Sequence, residues 1–350
     1  MIPPGETIGI LGGGQLGRMI ALAAAQLGYR CHVYAPEADA IAADVCAAFT
    51  QGAYDDEAAL AQFAASCAVV TYEFENVDAA PLAVIAPHAP LHPPARALEV
   101  AQDRAREKRF VESLGGRPAP WATVDSAADL AAAITRIGTP GILKTRRDGY
   151  DGKGQWRISD AAALPDLPAV PLIYEGFVEF SGEFSVILAR GADGATAFWD
   201  SPHNEHSGGI LARSTVPAPP LIEDHVSQAR VLAGKVADAL DYVGVLTLEF
   251  FATAQGPMFN EMAPRVHNSG HWTIEGALTS QFENHIRAIC GLPLGATARA
   301  AKGAVMENLI GDAVHDWAAI LSDPANHLHL YGKAAARPGR KMGHVTRLVL

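Results

Sequence analysis

The sequence has no basic excess, no long apolar run and no clustered cysteines. Lys and Arg number 27 against 38 Asp and Glu, a formal charge of −11 with a pI near 5.6. That balance excludes a polyanion binder, so neither a nucleic acid nor a membrane surface is an expected partner. No apolar run approaches the roughly 18 residues of a membrane-spanning helix. The N-terminal stretch, whose first basic residue is Arg18, lacks the charged start and small-residue cleavage site of a secretory signal. Cys31, Cys46, Cys67 and Cys290 form no C-x-x-C pair, which predicts buried thiols and a cytoplasmic location. No G-x-x-x-x-G-K-[ST] occurs, so P-loop chemistry is excluded. What is present is 49% apolar and 19% charged residue with a mean hydropathy of +0.10, enough for packed cores and unlike a disordered, collagenous or coiled-coil chain.

At about 150 residues per domain, 350 residues predict two or three domains. In the first 95 residues, Thr7–Leu11, Arg30–Tyr34 and Ala68–Tyr72 read as strands, and Gln15–Leu27 and Glu57–Ala65 as helices. This β-α-β rhythm predicts a parallel sheet covered on both faces. The Pro-rich stretch Ala86–Pro94 closes it, and a single charged helix is expected over Ala95–Leu114. From Trp121 the texture is α+β. Gly141–Lys144, Leu172–Val178, Glu183–Ala189, Ala195–Trp199, Gly209–Val216, Val245–Ala252 and Met258–Met262 read as strands. Helices are expected at Ser126–Ile137, Ile222–Leu240 and Ile274–Cys290. A small β-rich unit follows, and the three units are drawn at 1–95, 96–298 and 299–350.

Three motifs carry chemistry. Gly12-Gly13-Gly14-Gln15-Leu16-Gly17 sits between a strand and a helix, where such a loop either cradles a pyrophosphate or simply permits a tight turn and close packing. The acidic residue that a dinucleotide wants comes late, as Glu37 after a proline. Second, Lys144 is followed by Arg146, Arg147, Gly149, Gly152, Lys153 and Gly154, a cationic glycine loop suited to phosphates, with a plain surface hairpin as the alternative.

Third, Val245–Phe251 and Met258–Met262 flank Ala254-Gln255-Gly256, which reads as a three-residue hairpin loop. Centred on Gln255, that loop places Glu249 opposite Glu261. Facing carboxylates repel, and a divalent cation such as Mg²⁺ removes the repulsion. A register slip or a nearby Arg is the alternative. Asn260 points away in an ideal strand and needs a bulge to join them. Arg265, His267 and His271 follow at the strand end, a cluster suited to a small planar anion.

Taken together, GILGGGQLGRM (9–19), TYEFENV (71–77), KTRRDGYDGKGQ (144–155), EMAPRVHNSGHWT (261–273), HLYGK (329–333) and GRKMGH (339–344) resemble the ATP-grasp superfamily. Within it they are similar to the carboxyaminoimidazole ribonucleotide synthetases of purine biosynthesis, in family order over essentially the whole chain. The resemblance implies an ATP-grasp fold of α/β plus α+β type. Two lobes clamp ATP behind a Rossmann-like pre-ATP-grasp domain, and a small β-rich C-terminal domain follows. It implies an ADP-forming ligase in which bicarbonate, activated as carboxyphosphate, carboxylates the amine of aminoimidazole ribonucleotide. ATP and Mg²⁺, or Mn²⁺ in its place, would be the cofactors, and a homodimer the assembly.

Position by position, the resemblance assigns Arg104, Lys144, Gly149, Tyr150, Asp151, Gly152, Lys153, Gly154 and Gln155 to ATP. Glu175, Gly176, Phe177 and Val178 become the adenine hinge, Glu183 a ribose ligand, and His206, Asn260 and Glu261 neighbours of the nucleotide. Glu249 and Glu261 are the implied metal ligands. Asp151, Arg265, His267 and Asn268 are the implied catalytic group, with Asp151 or His267 taking the amine proton. The ribonucleotide would meet Gly14, Gln15, Leu16, Glu73, Asn76, Tyr150, Lys153, Gln155, Arg340, Lys341 and Arg347. Lys153 stands where many relatives carry Arg, which replaces a fork by a point charge. The tail Arg347–Leu350 follows soon after GRKMGH, so a contact usually made further on is left unassigned.

Competing readings share parts of this set. A formate-dependent glycinamide ribonucleotide transformylase or a biotin-carboxylase-like ligase would keep the ATP half. An NAD(P) oxidoreductase would use the first glycine loop and leave the lysine loop and glutamate hairpin unexplained. A catalytically dead nucleotide-binding regulator would have little use for the full set of Lys, Glu and Arg.

Overall fold

The structure, a computed structural model, describes residues 1–77, 79–149, 154–161 and 166–350. Strands β1 (Thr7–Leu11), β2 (Arg30–Ala35), β3 (Ala48–Gln51) and β4 (Val69–Tyr72) form a parallel sheet in the order β3-β2-β1-β4. Helices α1 (Gln15–Gln26), α2 (Glu57–Ala65) and α3 (Ala79–Ile85) come from the same segment. Central β1 is apolar on both faces because both are covered. Ile8 and Ile10 join the core under α1, while Leu11 joins the one that includes Leu60 and Phe63 of α2.

The expected helix over Ala95–Leu114 is two: α4 (Ala95–Ala101) and α5 (Arg104–Ser113). Asp103 breaks it by adopting extended backbone, and its Oδ1 accepts from the Ala105 and Arg106 amides at 2.9 and 3.1 Å. The break turns Arg104 and Lys108 of α5 toward the cleft described below.

A small lobe follows. Strands β5 (Trp121–Val124), β6 (Gly141–Thr145), β7 (Gln155–Ile158) and β8 (Leu172–Gly176) form an antiparallel sheet in the order β5-β8-β6-β7, packed by α6 (Ala127–Ile137). Its core, including Val124, Leu130, Leu143 and Tyr174, is separate from the others.

The remainder is one nine-stranded sheet. It comprises β9 (Gly182–Arg190), β10 (Thr196–Phe198), β11 (His203–Ser207), β12 (Ile210–Val216), β13 (Gly244–Thr253), β14 (Gly256–Ala263), β15 (Gly303–Ile310), β16 (Asn326–Leu330) and β17 (Lys341–Val349). The order is β14-β13-β9-β11-β12-β15-β17-β16, with β10 beside β9. The polar strand β11, His-Asn-Glu-His-Ser, carries no apolar alternation and is invisible to a hydrophobic pattern. Helix α7 (Pro220–Ala239) covers one face through Ile222, Ala229, Ala233 and Val236. The expected helix Ile274–Cys290 is split into α8 (Thr273–Gly276) and α9 (Gln281–Ile289), the latter capped by Ser280 Oγ. A short α10 (Trp317–Leu321) precedes β16.

Two features bear on the site. The last unit is no separate layer, because β12 pairs β15 and the central sheet continues into it. One apolar core also runs from α1 through Phe282 and Ile286 of α9 to Val245 of β13, joining the N-terminal unit to the central sheet. No described helix is long and apolar enough to cross a membrane.

Candidate active site

The cleft has a nucleotide end, between the small lobe and the central sheet. Lys144 on β6 and Glu175 on β8 lie on neighbouring antiparallel strands, with Lys144 Nζ 2.8 Å from Glu175 Oε2. Lys108 of α5 reaches the other oxygen at 3.2 Å. Burial works against the Glu175 charge, but the two lysines overcome it and hold its carboxyl at about 2. Burial pushes the Lys144 ammonium below its ordinary value, with Glu175 opposing. Arg104 Nη1 donates to Glu261 Oε2 at 2.9 Å and its Nη2 to the Gly149 carbonyl at 3.2 Å, tying the sheet to the glycine loop. Arg146 pairs with Asp103 at 2.6 Å. The small lobe therefore meets the body here through charge, not through a shared core.

The implied hinge comprises Glu175, Gly176, Phe177 and Val178 at the end of β8 and just beyond it. The Glu175 side chain is held by lysines, the Gly176 amide donates to Pro120 at 2.8 Å, and the Phe177 amide donates to Pro140 at 3.1 Å. Among the described residues none accepts from the Val178 amide, which leaves it free to read a base. Glu183 Oε2 lies 3.0 Å from His206 Nδ1. Burial opposes charge on His206, but Glu183 outweighs it and raises the imidazole above its ordinary value.

Glu249 and Glu261 do face each other, by a different route from the one expected. The β13–β14 connection pairs Thr253 with Gly256, a two-residue loop, and the register then shifts by one at a bulge that leaves Asn260 unpaired. The two one-residue differences cancel. Burial and the Glu261 charge push the Glu249 carboxyl up to about 8, whereas Arg104 overcomes burial and keeps Glu261 below its ordinary value. The alternative of a nearby Arg is thus realised for Glu261. His267 Nε2 stands 3.1 Å from Glu249 Oε1. Among the described residues no three His, Cys, Asp or Glu side chains converge as a metal cluster.

The acceptor end draws on all three units. Glu73, just past β4, accepts from the Gly14 amide at 2.9 Å and the Gly17 amide at 3.4 Å. A Cβ on Gly14 would sit 2.8 Å from Glu73 Oε1, and one on Gly12 2.7 Å from Glu73 Cγ. The glycines therefore admit an internal carboxylate to the N-terminus of α1, where a dinucleotide's pyrophosphate would otherwise lie. Burial raises the Glu73 carboxyl, with the Gly14 amide opposing. Gln15 and Leu16 form the first turn of α1, Leu16 being buried. Asn76 is exposed in the loop after Glu73. Arg265 pairs with Glu75 at 2.6 Å. Asn268 and Asn308 exchange side-chain amide hydrogen bonds at 3.0 and 2.7 Å, fixing Asn268 against β15.

Lys341 opens β17 opposite Ile310 of β15, and its charge opposes the rise at Glu249 and adds to the lowering at His267. Burial, then Arg265 and Lys341, hold His267 well below its ordinary value. Arg340 is exposed and donates to the Ala335 carbonyl at 2.9 Å. Arg347 is a correction. It lies six residues along β17, about 20 Å away, paired with Asp323 and with Asn326 Oδ1 at 3.1 Å on the surface. Tyr150, Asp151, Gly152 and Lys153 lie outside the described residues. Gly154 and Gln155 lead into β7, Gln155 opposite Lys144.

Sequence reasoning missed Lys108, Glu75 and Asn308. Lys108 had a signal, since it follows Arg104 by four residues on one helix face. Glu75 lies in the TYEFENV motif beside Glu73, but its partner Arg265 is far along the chain, as is the Asn268 partner of Asn308, which nothing local marks.

Comparison with known proteins identifies the family. A model of the ribonucleotide synthetase preATP-grasp domain matches residues 5–102, the ATP-grasp domain matches 109–282, and a phosphoribosylaminoimidazole carboxylase C-terminal domain matches 304–349. The chain is 51% identical to an N5-carboxyaminoimidazole ribonucleotide synthase of Brucella melitensis over 99% of this chain and 97% of that one. It is 47% identical to one of Pseudomonas aeruginosa over 97% and 93%. Among solved structures, the synthetase of Thermus thermophilus aligns with a TM-score of 0.90 at 49% identity, covering 98% and 93% of the two chains. An Aspergillus clavatus synthase in complex with ADP and 5-aminoimidazole ribonucleotide aligns with a TM-score of 0.91 at 31% identity, covering 99% and 94%.

Proposed function

The chain belongs to the N5-carboxyaminoimidazole ribonucleotide synthase family of ATP-grasp ligases, and from that premise we propose how its own residues divide the work. The reaction joins bicarbonate to the amine of 5-aminoimidazole ribonucleotide with ATP cleaved to ADP and phosphate, a step of purine biosynthesis. The observation that carries this reading is the Glu249–Glu261 pair, held between Arg104 on the nucleotide side and His267 on the acceptor side.

Lys144 and Arg104 take ATP phosphates, the Val178 amide reads adenine, and Glu183 takes the ribose hydroxyls. Bound polyphosphate draws these cations from their present carboxylate partners. The two facing carboxylates fit Mg²⁺, or Mn²⁺ in its place. Such a cation keeps several waters and needs only one or two protein oxygens beside substrate phosphates, and it would relieve the repulsion between the two carboxylates. When bound, it neutralises charge on the transferring phosphoryl group.

The γ-phosphoryl passes to a bicarbonate oxygen, breaking its bond to ADP. Arg265, His267 and Asn268 hold the resulting carboxyphosphate by charge-assisted and amide hydrogen bonds. The ribonucleotide amine attacks the carboxyl carbon, phosphate leaves, and Asp151 accepts the amine proton. Glu73, Tyr150, Lys153, Gln155, Arg340 and Lys341 position the ribonucleotide. Exclusion of water from the cleft protects carboxyphosphate, which hydrolyses easily. Glu73 fills the first glycine loop, which removes the support for an NAD(P) oxidoreductase. The enzyme works in the cytoplasm as a homodimer.

The test is isotopic. With ¹³C-bicarbonate, ATP, Mg²⁺ and aminoimidazole ribonucleotide, ¹³C NMR is expected to show a carbamate carbon bonded to the exocyclic amine. ADP formed without labelled product would overturn the reading.

A further inference from the structure

Arg265, His267 and Asn268 stand on a stretch that no sheet holds. Strand β14 ends at Ala263, and only a single turn at Asn268–Gly270 precedes α8. Val266, Ser269 and Gly270 are buried, so the backbone here needs partners that a strand neighbour does not supply. His267 obtains a donor and an acceptor from one side chain. Its amide donates to Gln281 Oε1 at 2.9 Å, and Gln281 Nε2 donates to its carbonyl at 2.6 Å. Among the described residues its amide has no other acceptor, whereas its carbonyl also accepts from the Gly270 amide at 3.0 Å.

The geometry is that of a neighbouring strand reduced to one group. His267 is extended, with φ −128° and ψ 151°, so its N–H and C=O point to the same side. A residue that exchanges both bonds with its partner in an antiparallel ladder does the same. The N–H can only donate and the C=O only accept, which fixes the orientation of the Gln281 carboxamide. Neither contact depends on a protonation state. Pinning the groups on both sides of the His267 Cα sets the direction of its side chain, whose Nε2 lies 3.1 Å from Glu249 Oε1.

Gln281 is held in turn. It is 0% exposed at the start of α9, and Phe282 and Ile286 of that helix lie in the core shared with α1 and β13. Its own amide donates to Thr273 Oγ1 at 3.0 Å, and that hydroxyl donates to the Gly270 carbonyl at 2.6 Å. Gly270 packs directly on it, since a Cβ there would lie 2.7 Å from Gln281 Oε1. One turn along α9, Asn284 makes a twin contact with Gly295, a residue with no assigned role at the site. It accepts from the Gly295 amide at 2.7 Å and donates to the Gly295 carbonyl at 3.1 Å.

We infer that Gln281 is a positioning residue of the acceptor end, a clamp that sets His267 and Asn268 against bicarbonate and carboxyphosphate. The inference rests on the proposed role of those two residues.

The test uses the full chain and Gln281→Met, which keeps the length of the side chain and removes both hydrogen-bonding atoms. In ligand-free protein labelled with ¹⁵N-histidine, the His267 amide is assigned by its loss in His267→Gln. It is expected to exchange slowly with deuterium in the unaltered protein and about tenfold faster in Gln281→Met, the worth of one such hydrogen bond. The kcat/KM for bicarbonate should fall about 10- to 100-fold through misplacement of the reacting groups, with the KM for ATP little changed. A smaller share of the ADP released should be matched by carboxylated product, because misheld carboxyphosphate is lost to water. A poorly folded fraction lowers all rates alike and moves neither KM nor that share. Asn284→Leu, which breaks the twin contact, should leave both as they are.

Fast exchange of the His267 amide in the unaltered protein overturns the inference whether or not any variant folds. So does a Gln281→Met protein with unchanged exchange or unchanged kcat/KM for bicarbonate, and so does an equal kinetic change in Asn284→Leu. Absence of ribonucleotide stimulation in the unaltered enzyme would instead overturn the proposed function, and amide exchange would still decide the clamp.

Discussion

The nucleotide end and the acceptor end of the cleft use the same residue types and differ in how these are gathered and buried. At the nucleotide end, Lys108, Lys144 and Glu175 come from the ATP-grasp segment and are 1%, 7% and 4% exposed. The cations there also outnumber their carboxylate partners, as a polyphosphate site requires. At the acceptor end, Glu75 of the first unit pairs with Arg265 of the second, both only half-buried, and the charge of Lys341 from the third acts on Glu249 and His267. The first end is thus bound up with the stability of the fold, while the second depends on three units keeping their places.

The comparison can be broken at several points. The largest effect is expected from Glu261→Gln, which removes the carboxylate shared by Arg104 and the hairpin. ADP release should fall by at least about 100-fold, and a normal rate would remove the metal assignment. Next, Glu175→Gln leaves two buried lysines without their anion and should lower the unfolding free energy in urea by about 3–5 kcal/mol. Glu75→Gln, in the half-buried pair, should cost markedly less. Equal losses would erase the distinction between the two ends.

Gly14→Ala is expected to cost about 1–3 kcal/mol, because its Cβ meets Glu73 Oε1 at 2.8 Å. It should also raise the KM for the ribonucleotide without moving that for ATP. A pH effect comes from Glu107, whose carboxyl burial pushes from 4.5 up to about 8, with Lys108 and Arg104 opposing and Glu261 reinforcing. The folded state then keeps a proton that the unfolded state releases, so this contribution to stability is lost as pH rises from about 4.5 through about 8. The melting temperature of Glu107→Gln should decline less over that window than that of the unaltered protein. The smallest effect is expected from Arg347→Ala, an exposed pair worth at most about 1 kcal/mol, with ADP release unchanged.

Much of the nucleotide end was legible because its groups are local. A strand ending in Lys144, a glycine loop and a glutamate hairpin lie in contiguous motifs. Even there, the Glu249–Glu261 pairing followed from a loop length that is wrong by one residue and a bulge that repairs it. Asn260, which needed that bulge to leave its ideal alternation, is the residue the register skips. The acceptor end was harder. The glycine motif announces an anion at a helix N-terminus, but nothing local says that the anion is Glu73, 59 residues on. The Arg104–Glu261 contact spans 157 residues, a separation that only the fold can close. Arg347 was misplaced because a basic residue near a motif looks like part of it, while a strand rise of about 3.3 Å per residue carries it away.

The account's central claim is that both ends serve one reaction, and ADP release measured with ATP, Mg²⁺ and bicarbonate, with and without aminoimidazole ribonucleotide, tests it most directly. Marked stimulation by the ribonucleotide is predicted, and ADP release at the same rate without it would contradict the account.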